Sequence, residues 1–338
     1  MQQTNRQKED EHMKIGKVPE NVLKRAVFKQ IQRRRPEVLL HPGVGEDCAA
    51  AALEPDEAFV FSTDPITGAE LGMGTLAVHI TANDLAAAGA EPVGILTSII
   101  LPPNTREIKL RRMMEEIELA CRELNIEQMG GHTEVSDVVN KAVITVTGVG
   151  KVKKDQIIST GGLQPGDELV MTKWAGLEGT SIIAAEHREE LQQRLSAELL
   201  DTAAGFTQYL SVVPEAAVAV RTGVSAMHDV TEGGIFGALW EMGEASGVGI
   251  IADIQKIPIR QETIEICEFY GLNPYQLISS GSMLIGCPKG NLLVENLQEA
   301  GIPAAVIGRA VEGNDRVVLH GEEKRFLEPA GSDELYWI

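Results

Sequence analysis

The sequence predicts an α/β (α+β) protein with two domains, and three observations support this fold class. Apolar runs typical of strands alternate with amphipathic, helix-like stretches along the chain. The 34 glycines and the 4% aromatic content suit many tight turns between strands and helices. A length of 338 residues is sufficient for two domains, each with its own core.

The first half predicts five elements. The apolar run before Asp64 and the β-rich run after Pro92 predict strands, and residues 142–150 alternate like a half-buried strand. The second helix has apolar residues at helical spacing and a charged opposite face. In order, we predict a strand over 58–63, a helix over 74–90, a strand over 93–101, a helix over 104–125 and a strand over 142–150.

The second half repeats this alternation after a boundary at about residue 155. The boundary lies in KVKKDQIISTGGLQPGDE, which is rich in Lys, Gly and Pro turn signals. We therefore predict a leader over residues 1–12, an N-terminal domain over 13–155 and a C-terminal domain over 156–338. The predicted elements are strands over 168–172, 224–227, 249–253, 282–286 and 304–308, and helices within 179–222 and over 233–246, 261–270 and 291–300.

Composition excludes several classes of function. A net charge of -19 disfavours nucleic acid and anionic membranes as partners. The four cysteines contain no C-x-x-C pair, which argues against zinc knuckles and disulfide frameworks. The longest apolar run, residues 93–101, is about half of what spans a bilayer, and the charged residues 1–12 do not form a signal peptide. We expect a soluble, cytoplasmic protein with a disordered leader.

Four segments place a carboxylate beside glycine or at the end of an apolar run. They are G43-V-G-E-D-C-A-A50, S62-T-D-P-I-T-G68, H79-I-T-A-N-D-L-A-A-A-G89 and H228-D-V-T-E-G-G234. In a helix, Asp84 lies on the apolar stripe, with Asn83 beside it. A buried carboxylate is costly unless it is paired, hydrogen-bonded or bound to a metal.

The aspartates of these segments, Asp47, Asp64, Asp84 and Asp229, are therefore candidate metal ligands. Oxygen ligands without His or Cys spacing favour Mg²⁺ over zinc, and Mg²⁺ usually accompanies phosphates. Bound Mg²⁺ would neutralise the aspartates and a triphosphate, so an acidic protein can hold ATP. Taken singly, each aspartate is better explained as a helix cap or turn former, but four together favour the metal site.

Two glycine-containing segments add candidates for ligand binding. G130-G-H-T-E134 is interpreted as a Gly-Gly turn between two strands that allows close approach to a ligand, with His132, Thr133 and Glu134 as polar groups, although an ordinary turn is the better explanation of this segment alone. G176-L-E-G-T-S181 opens a helix and is similar to an anion-binding helix N-terminus, with Gly176 and Thr180 as candidates. Lys173 is expected to be solvated or near a phosphate. P-loop, Rossmann and nucleophile-elbow motifs are absent from the sequence.

Six blocks, in this order, resemble the signature blocks of the AIR-synthase-like (PurM-like) superfamily. They are G-V-G-E-D-C-A, S-T-D-P-I-T, A-N-D-L-A-A-A-G-A-E-P, G-G-H-T-E-V, H-D-V-T-E-G-G and I-S-S-G. The resemblance runs from about Lys14 to Arg325. This superfamily includes AIR synthase, selenophosphate synthetase, thiamine-monophosphate kinase and the HypE hydrogenase maturation proteins, and the chain looks most like the HypE branch.

The resemblance implies an N-terminal domain whose sheet forms a dimeric β-barrel with that of a second copy, a C-terminal α/β domain, and ATP in a cleft between them. By position, the four aspartates match Mg²⁺ ligands, with Asp47, Asp84 and Asp229 as catalytic residues. Asn83, Gly130, Gly131 and Thr133 match residues that line the nucleotide. The chemistry implied is phosphorylation by ATP of an amide- or carboxylate-type oxygen, on a small molecule or on a maturation partner protein.

The sequence also departs from the superfamily's patterns. HypE proteins carry a C-terminal Pro-Arg-Ile-Cys tail, whereas this sequence ends S332-D-E-L-Y-W-I338 and its last cysteine is Cys287. We therefore expect a different or external substrate, and we expect Cys48, beside Asp47, to be packed rather than reactive. A small-molecule kinase like thiamine-monophosphate kinase and a non-catalytic, nucleotide-binding maturation partner stay open as alternatives.

Overall fold

The computed structural model describes residues 16–18, 20–42, 49–66, 72–329 and 331–338. Asp47, Cys48 and the expected leader lie outside these residues. The chain divides into two compact units, the first up to Leu85 together with Ala90–Lys154 and the second comprising Ala86–Gly89 and Asp155–Ile338. Each unit combines a mixed sheet with helices, which confirms the predicted fold class.

The first unit contains seven strands in the described residues. Their bounds are β1 Gly16–Lys17, β2 Val38–Leu40, β3 Ala50–Ala51, β4 Glu57–Ile66, β5 Glu91–Leu101, β6 Glu127–Val135 and β7 Val143–Lys153. Five strands form one sheet in the order β1-β6-β5-β7-β4, and β2 pairs with β3. Strands β5 and β6 are parallel, whereas β4, β7 and β5 pair antiparallel.

Two long helices, α1 Met73–Ala87 and α2 Glu107–Glu123, cover one face of this sheet, and short helical turns lie over Glu20–Val22 and Leu23–Phe28. Helix α1 approaches β7 closely at Gly148, where an added Cβ would lie 2.5 Å from Thr81 Cγ2. Helix α2 packs on α1 at Gly74, where a Cβ would lie 2.6 Å from the carbonyl oxygen of Met113. The predicted amphipathic helix is confirmed as α2, with its apolar stripe buried.

The opposite face of this sheet carries exposed aromatic and hydroxyl side chains. Phe59 and Phe61 of β4 are 38% and 63% exposed, and their ring centroids lie 5.6 Å apart. The hydroxyls of Thr63 and Thr147 lie 3.0 Å apart on the same face. We call the face that carries Phe59, Phe61, Thr63 and Thr147 the open sheet face.

The second unit contains seven strands in one sheet of order β14-β13-β10-β12-β8-β11-β9. Their bounds are β8 Glu168–Thr172, β9 Ala226–Val230, β10 Gly249–Asp253, β11 Ser282–Cys287, β12 Ala304–Val311, β13 Arg316–His320 and β14 Glu323–Phe326. The helices are α3 Leu177–Glu186, α4 Arg188–Leu191, α5 Ala197–Ala204, α6 Val213–Thr222, α7 Gly234–Ser246, α8 Gln261–Tyr270 and α9 Gly290–Glu299. Only β10 and β13 pair in parallel among these described strands.

Apolar cores lie on both faces of this second sheet. Helix α7 contributes Ile235, Leu239 and Met242 to the core on one face. Helices α6 and α9 contribute residues such as Ala219 and Leu293 to the other core. Every residue of β11 is buried because both of its faces are covered. None of the described helices is both long and apolar enough to cross a lipid bilayer.

Two sequence predictions need correction. The interpretation of G130-G-H-T-E134 as a turn is wrong, because these residues lie within strand β6. Gly131 has a φ of +149°, and a Cβ there would lie 2.1 Å from the Thr97 carbonyl oxygen, so glycine permits close pairing with β5. Asp64 does not end its strand, since Pro65 and Ile66 continue the pairing of β4 with β7. Pro65 is tolerated because β4 is an edge strand.

Candidate functional site

Two of the predicted aspartates meet at one hydroxyl in the first unit. The Ser62 hydroxyl of β4 lies 3.1 Å from Asp64 Oδ2 and also hydrogen-bonds with Asp84 of α1. A hydroxyl carries one hydrogen, so it can donate to only one of the two carboxylates at a time. The pair therefore concentrates negative charge at half-buried oxygens, which is the chemistry that a hard cation such as Mg²⁺ binds.

Sheet register explains why these side chains converge. Ser62 and Asp64 are two residues apart on β4, so they share the face that α1 covers. Gly148 of β7 lies opposite Ser62, and its missing side chain leaves room for the helix that carries Asp84. The sequence analysis did not single out Gly148, although a glycine inside a strand-like run is the signal for such a close approach.

The candidates on β6 divide between the two faces of the sheet. Asp64, Val146, Thr97 and Gly131 follow one another across four neighbouring strands, so Gly131 shares the Asp64 face. Thr133, two residues further along β6, lies on this face and is buried. Asn83 of α1 is fully buried beside Asp84.

The side chains of His132 and Glu134 lie on the open sheet face, where His132 Nε2 is 3.2 Å from Glu134 Oε2. Strand geometry therefore separates His132 and Glu134 from Thr133. A ligand on the Asp64 face would reach Thr133 and the backbone of Gly130 and Gly131, but not the side chains of His132 and Glu134. Gly130 itself lies beside Leu96 of β5.

A fully buried carboxylate anchors the chain shortly before the segment that contains Asp47. Glu127, the first residue of β6, accepts the backbone N–H groups of Arg34 at 2.8 Å and Arg35 at 2.9 Å, and it contacts His41 Nδ1. Its exposure is 0%, so these contacts replace its hydration. The sequence analysis missed Glu127 because nothing local in the sequence distinguishes a buried glutamate at a strand start.

In the second unit, Asp229 lies within β9 and is buried at 5% exposure. Its neighbour His228 points to the other side of the strand, and His228 Nε2 lies 2.9 Å from Glu241 Oε2 of α7. Among the described residues, no group of three or more His, Cys, Asp or Glu side chains is arranged to hold a metal ion. A metal site would thus need further oxygen donors, such as Asp47 or ligand phosphates.

Three of the sequence blocks singled out above, those of Gly176, Asp229 and Ser279, meet at one end of the second sheet. Strands β8 and β9 both run antiparallel to β11, so the ends of β8 and β9 lie beside the start of β11. The Ser279 hydroxyl accepts the Gly176 N–H at 2.6 Å, and the Ser279 N–H donates to the Thr231 carbonyl at 3.4 Å. Residues 278–281 thereby join the Gly176 and Thr231 turns.

Gly176 and Thr180 occupy structural positions in this arrangement. Gly176 precedes α3 with a φ of +67°, and its N–H is directed to Ser279. Thr180 is fully buried, and its hydroxyl lies 2.9 Å from that of Thr263. The predicted helix start is confirmed. A role for either residue in nucleotide binding stays a prediction.

Lys173 is neither solvated nor placed to meet a phosphate, contrary to expectation. Its ammonium group donates to the carbonyls of Tyr209, Ser211 and Gly281 at 2.6–2.8 Å, and it lies 2.6 Å from Glu215 Oε1. Burial lowers the pKa of Lys173, an effect that the Glu215 carboxylate opposes. All three ammonium hydrogens are engaged, so Lys173 holds loops together.

Glu178 is a titratable group that the sequence analysis missed. It lies in the first turn of α3 at 3% exposure, and burial raises the pKa of its carboxyl to about 7. Its Oε2 atom has no hydrogen-bond partner among the described residues. The available signal was a glutamate in the first turn of an otherwise apolar helix.

Three cysteines fall in the described residues, and all are buried as free thiols: Cys121, Cys267 and Cys287. Burial raises the pKa of Cys121 and of Cys267 to about 12, and it also raises the pKa of Cys287. Since the thiolate is the nucleophilic form, none of these three thiols is suited to accept a transferred group.

Comparison with known proteins gives consistent matches across the chain. Residues 45–152 match the sequence model of "AIR synthase related protein, N-terminal domain", and residues 164–320 match that of "AIR synthase related protein, C-terminal domain". A putative hydrogenase expression/formation protein of Methanocaldococcus jannaschii is 28% identical over 316 residues, covering 90% of this chain and 91% of that protein.

Two further matches are HypE proteins. The carbamoyl dehydratase HypE of Cupriavidus necator is 32% identical over 253 residues, covering 72% of this chain and 69% of that protein. The crystal structure of hydrogenase maturation protein HypE in complex with ATP superposes with a TM-score of 0.77 at 22% identity, covering 95% of this chain and 97% of that one. The similarity to the solved structure concerns the fold alone.

Proposed function

Because this chain belongs to the AIR synthase related family, we propose that it is a Mg-ATP-dependent, cytoplasmic enzyme of the HypE type. It phosphorylates an amide- or carboxylate-type oxygen and thereby converts that oxygen into a leaving group. The observation that carries this proposal is the pair of carboxylates, Asp64 and Asp84, that share the Ser62 hydroxyl. The similarity of the chain to HypE proteins, one of them solved in complex with ATP, supports ATP as the phosphoryl donor.

The residues of the first unit fit Mg²⁺ by their chemistry. Asp64 and Asp84 both contact the Ser62 hydroxyl and offer the hard carboxylate oxygens that Mg²⁺ prefers as ligands. Asp47 and Asp229 are proposed as further ligands because their sequence blocks resemble those of the family. When bound, Mg²⁺ neutralises charge on the phosphates during transfer.

The remaining proposed residues orient the nucleotide. Asn83 lies on α1, and Gly131 and Thr133 lie on the face of β6 that is on the same side of the sheet as this helix and Asp64. Gly130 lies on the same strand. Gly131 offers backbone without a side chain, and Thr133 offers a hydroxyl. In this proposal, Asp47, Asp84 and Asp229 contribute to catalysis by positioning the cation and the phosphates and by balancing their charge. They form no covalent intermediate.

The acceptor in this proposal is external to the described residues. Cys121, Cys267 and Cys287 are buried with raised pKa values, so none of them presents a thiolate for group transfer. The phosphorylated oxygen would therefore belong to a small molecule or to a group carried by a maturation partner protein.

We also propose a homodimer formed through the open sheet face. Phe59 and Phe61 expose large apolar rings on the open sheet face, which is a surface that a second copy can bury. A C₂ interface would bring the same strands of both copies together.

Isothermal titration of ATP into the purified protein, with and without Mg²⁺, tests the central proposal. Mg²⁺-dependent binding with slow release of ADP or AMP is the expected result. Stable transfer of phosphate to a small molecule would instead favour the kinase alternative, and tight binding without turnover on any candidate acceptor would favour the non-catalytic partner. Absence of ATP binding both with and without Mg²⁺ would contradict the proposal.

A further inference from the structure

Four consecutive residues, 333–336, contact other parts of the second unit, including the 231–234 turn and the segment before β11. Asp333 accepts backbone N–H groups from the 231–234 turn and from the segment before β11, and Leu335 packs on an apolar core. The Glu334 carboxylate accepts the Asn273 N–H at 3.0 Å, and the Tyr336 hydroxyl donates to Glu232 Oε1 at 2.9 Å. We call residues 333–336 the latch segment.

Asp333 makes the central contacts of the latch segment. Its Oδ2 accepts the Gly233 N–H at 2.8 Å, and its Oδ1 accepts the N–H groups of Ile278 at 3.2 Å and Leu335 at 2.9 Å. The residue is 1% exposed, so backbone amides take the place of water around this carboxylate. Asp333 therefore uses both carboxylate oxygens, Oδ2 for the turn at Gly233 and Oδ1 for the segment at Ile278.

The contacts of Asp333 join the turn that follows Asp229 to the segment that precedes β11, the strand paired with Asp229. Gly233, with a φ of +78°, precedes α7 and follows Asp229 by four residues, and Ile278 lies shortly before β11, the strand that pairs with Asp229. The carboxylate also lies at the N-terminus of α7, where a negative charge is favourable. Leu335 adds apolar contact with the core of α3, α5 and α8.

We propose that the latch segment fixes the 231–234 turn and that Asp333 is a positioning residue for Asp229. This inference rests on the proposed Mg-ATP site, because it assigns to Asp333 an effect on ligand affinity through the strand and turn that carry Asp229. The segment holds parts of the second unit together through side-chain hydrogen bonds to backbone amides and one hydrogen bond between the Tyr336 and Glu232 side chains, rather than through ion pairs.

A matched pair of acid-to-amide substitutions in the full chain tests this. Asp333→Asn keeps one oxygen acceptor and cannot serve both turns, whereas Glu334→Gln keeps the single acceptor that Asn273 needs. Hydrogen exchange followed by mass spectrometry should show faster exchange, by about tenfold, in peptides that contain Gly233 for Asp333→Asn and not for Glu334→Gln. Unchanged hydrogen exchange at Gly233 would contradict the proposal that the latch segment fixes the 231–234 turn.

Mg-ATP affinity, measured by calorimetry on the same proteins, tests the positioning role. The Kd should rise at least about threefold in Asp333→Asn and stay at the wild-type value in Glu334→Gln. Faster exchange with an unchanged Kd would overturn the positioning role. If the wild-type protein itself fails to bind Mg-ATP, the proposed function and the positioning role both fail, while the exchange comparison still decides whether the latch exists.

Discussion

The Ser62 hydroxyl of β4 hydrogen-bonds with the Asp84 carboxylate of α1, and it thereby connects a sheet edge to the helix that covers it. The same hydroxyl lies 3.1 Å from Asp64, so one donor serves two acids. A cation bound at the proposed site would take over the role of the shared hydrogen, so stability and cation binding should be coupled at this point.

Replacing Ser62 by Ala should make the protein more dependent on Mg²⁺. Without the hydroxyl, the two carboxylates repel each other, and we expect a loss of about 1 kcal/mol in the free energy of unfolding without Mg²⁺. Thermal unfolding with and without Mg²⁺ checks this. Thr63→Ala, which removes a hydroxyl from the open sheet face, should not change the response to Mg²⁺; an equal response in both variants would contradict the prediction.

Asp84→Asn should weaken Mg-ATP binding by about tenfold or more, because the substitution removes a charged ligand from the cation. Calorimetry measures the change. Asp56→Asn is the control, since Asp56 lies at the surface and pairs with Lys153. Equal affinity of Asp84→Asn and wild type would remove Asp84 from the ligand set.

Gly148→Ala should destabilise the first unit by about 1–3 kcal/mol. Its Cβ would lie 2.5 Å from Thr81 Cγ2 and 3.0 Å from Leu85 Cδ1, so α1 must shift away from β7. Urea unfolding provides the measurement. Gly205→Ala should be nearly neutral, because its Cβ would meet no atom closer than 3.7 Å at a φ of −70°. Full stability of Gly148→Ala would refute the close contact.

Glu178 should make stability fall as the pH rises towards neutrality. Burial raises the pKa of its carboxyl from 4.5 to about 7, so the folded state holds a proton that the unfolded state has released. The stabilising effect is complete below about pH 4.5 and is lost as the pH rises through about 7, by up to about 3 kcal/mol. Glu178→Gln should flatten this dependence in urea unfolding between pH 5 and pH 8, whereas Glu295→Gln at the surface should keep the wild-type slope.

Phe61→Asp should yield a monomer, because a charge would enter the proposed interface on the open sheet face. Light scattering coupled to size-exclusion chromatography reports the mass. Phe326→Asp on β14 is a matched control, since both rings are 63% exposed. A dimer that survives Phe61→Asp, or a wild-type monomer, would rule out this interface.

Periodicity in the sequence predicts the elements that are regular. Strand β10 and helix α8 have the predicted limits, and β8 does as well, because their apolar residues alternate or recur within one continuous run. The aspartates Asp64 and Asp84 could be selected from sequence because carboxylates interrupt apolar patterns there. The sequence does not show that Asp64 and Asp84 converge on Ser62, because this convergence depends on the register of β4 and β7.

Contacts between distant segments account for most of what the sequence did not reveal. Gly130 and Gly131 indicate a turn locally, but their conformation is set by the approach of β5, some thirty residues earlier in the chain. Lys173 and Glu178 are charged residues that would ordinarily be solvated, and only the folded loops around them explain their burial. Asp333 is a charged residue in a polar stretch, so the sequence predicts that it is exposed. It is buried because it bonds to Gly233 and Ile278, which lie far from it in the chain.

The position of β8 in the second sheet has a consequence for how the chain is made. Strand β8 lies between β11 and β12, which follow it by about 110 and 130 residues. During synthesis on the ribosome, β8 therefore emerges long before either neighbour exists, and four of its five residues are buried only once the sheet closes. The nascent chain must keep this apolar strand from aggregating for most of the time needed to translate the second unit, so chaperone dependence should concentrate there.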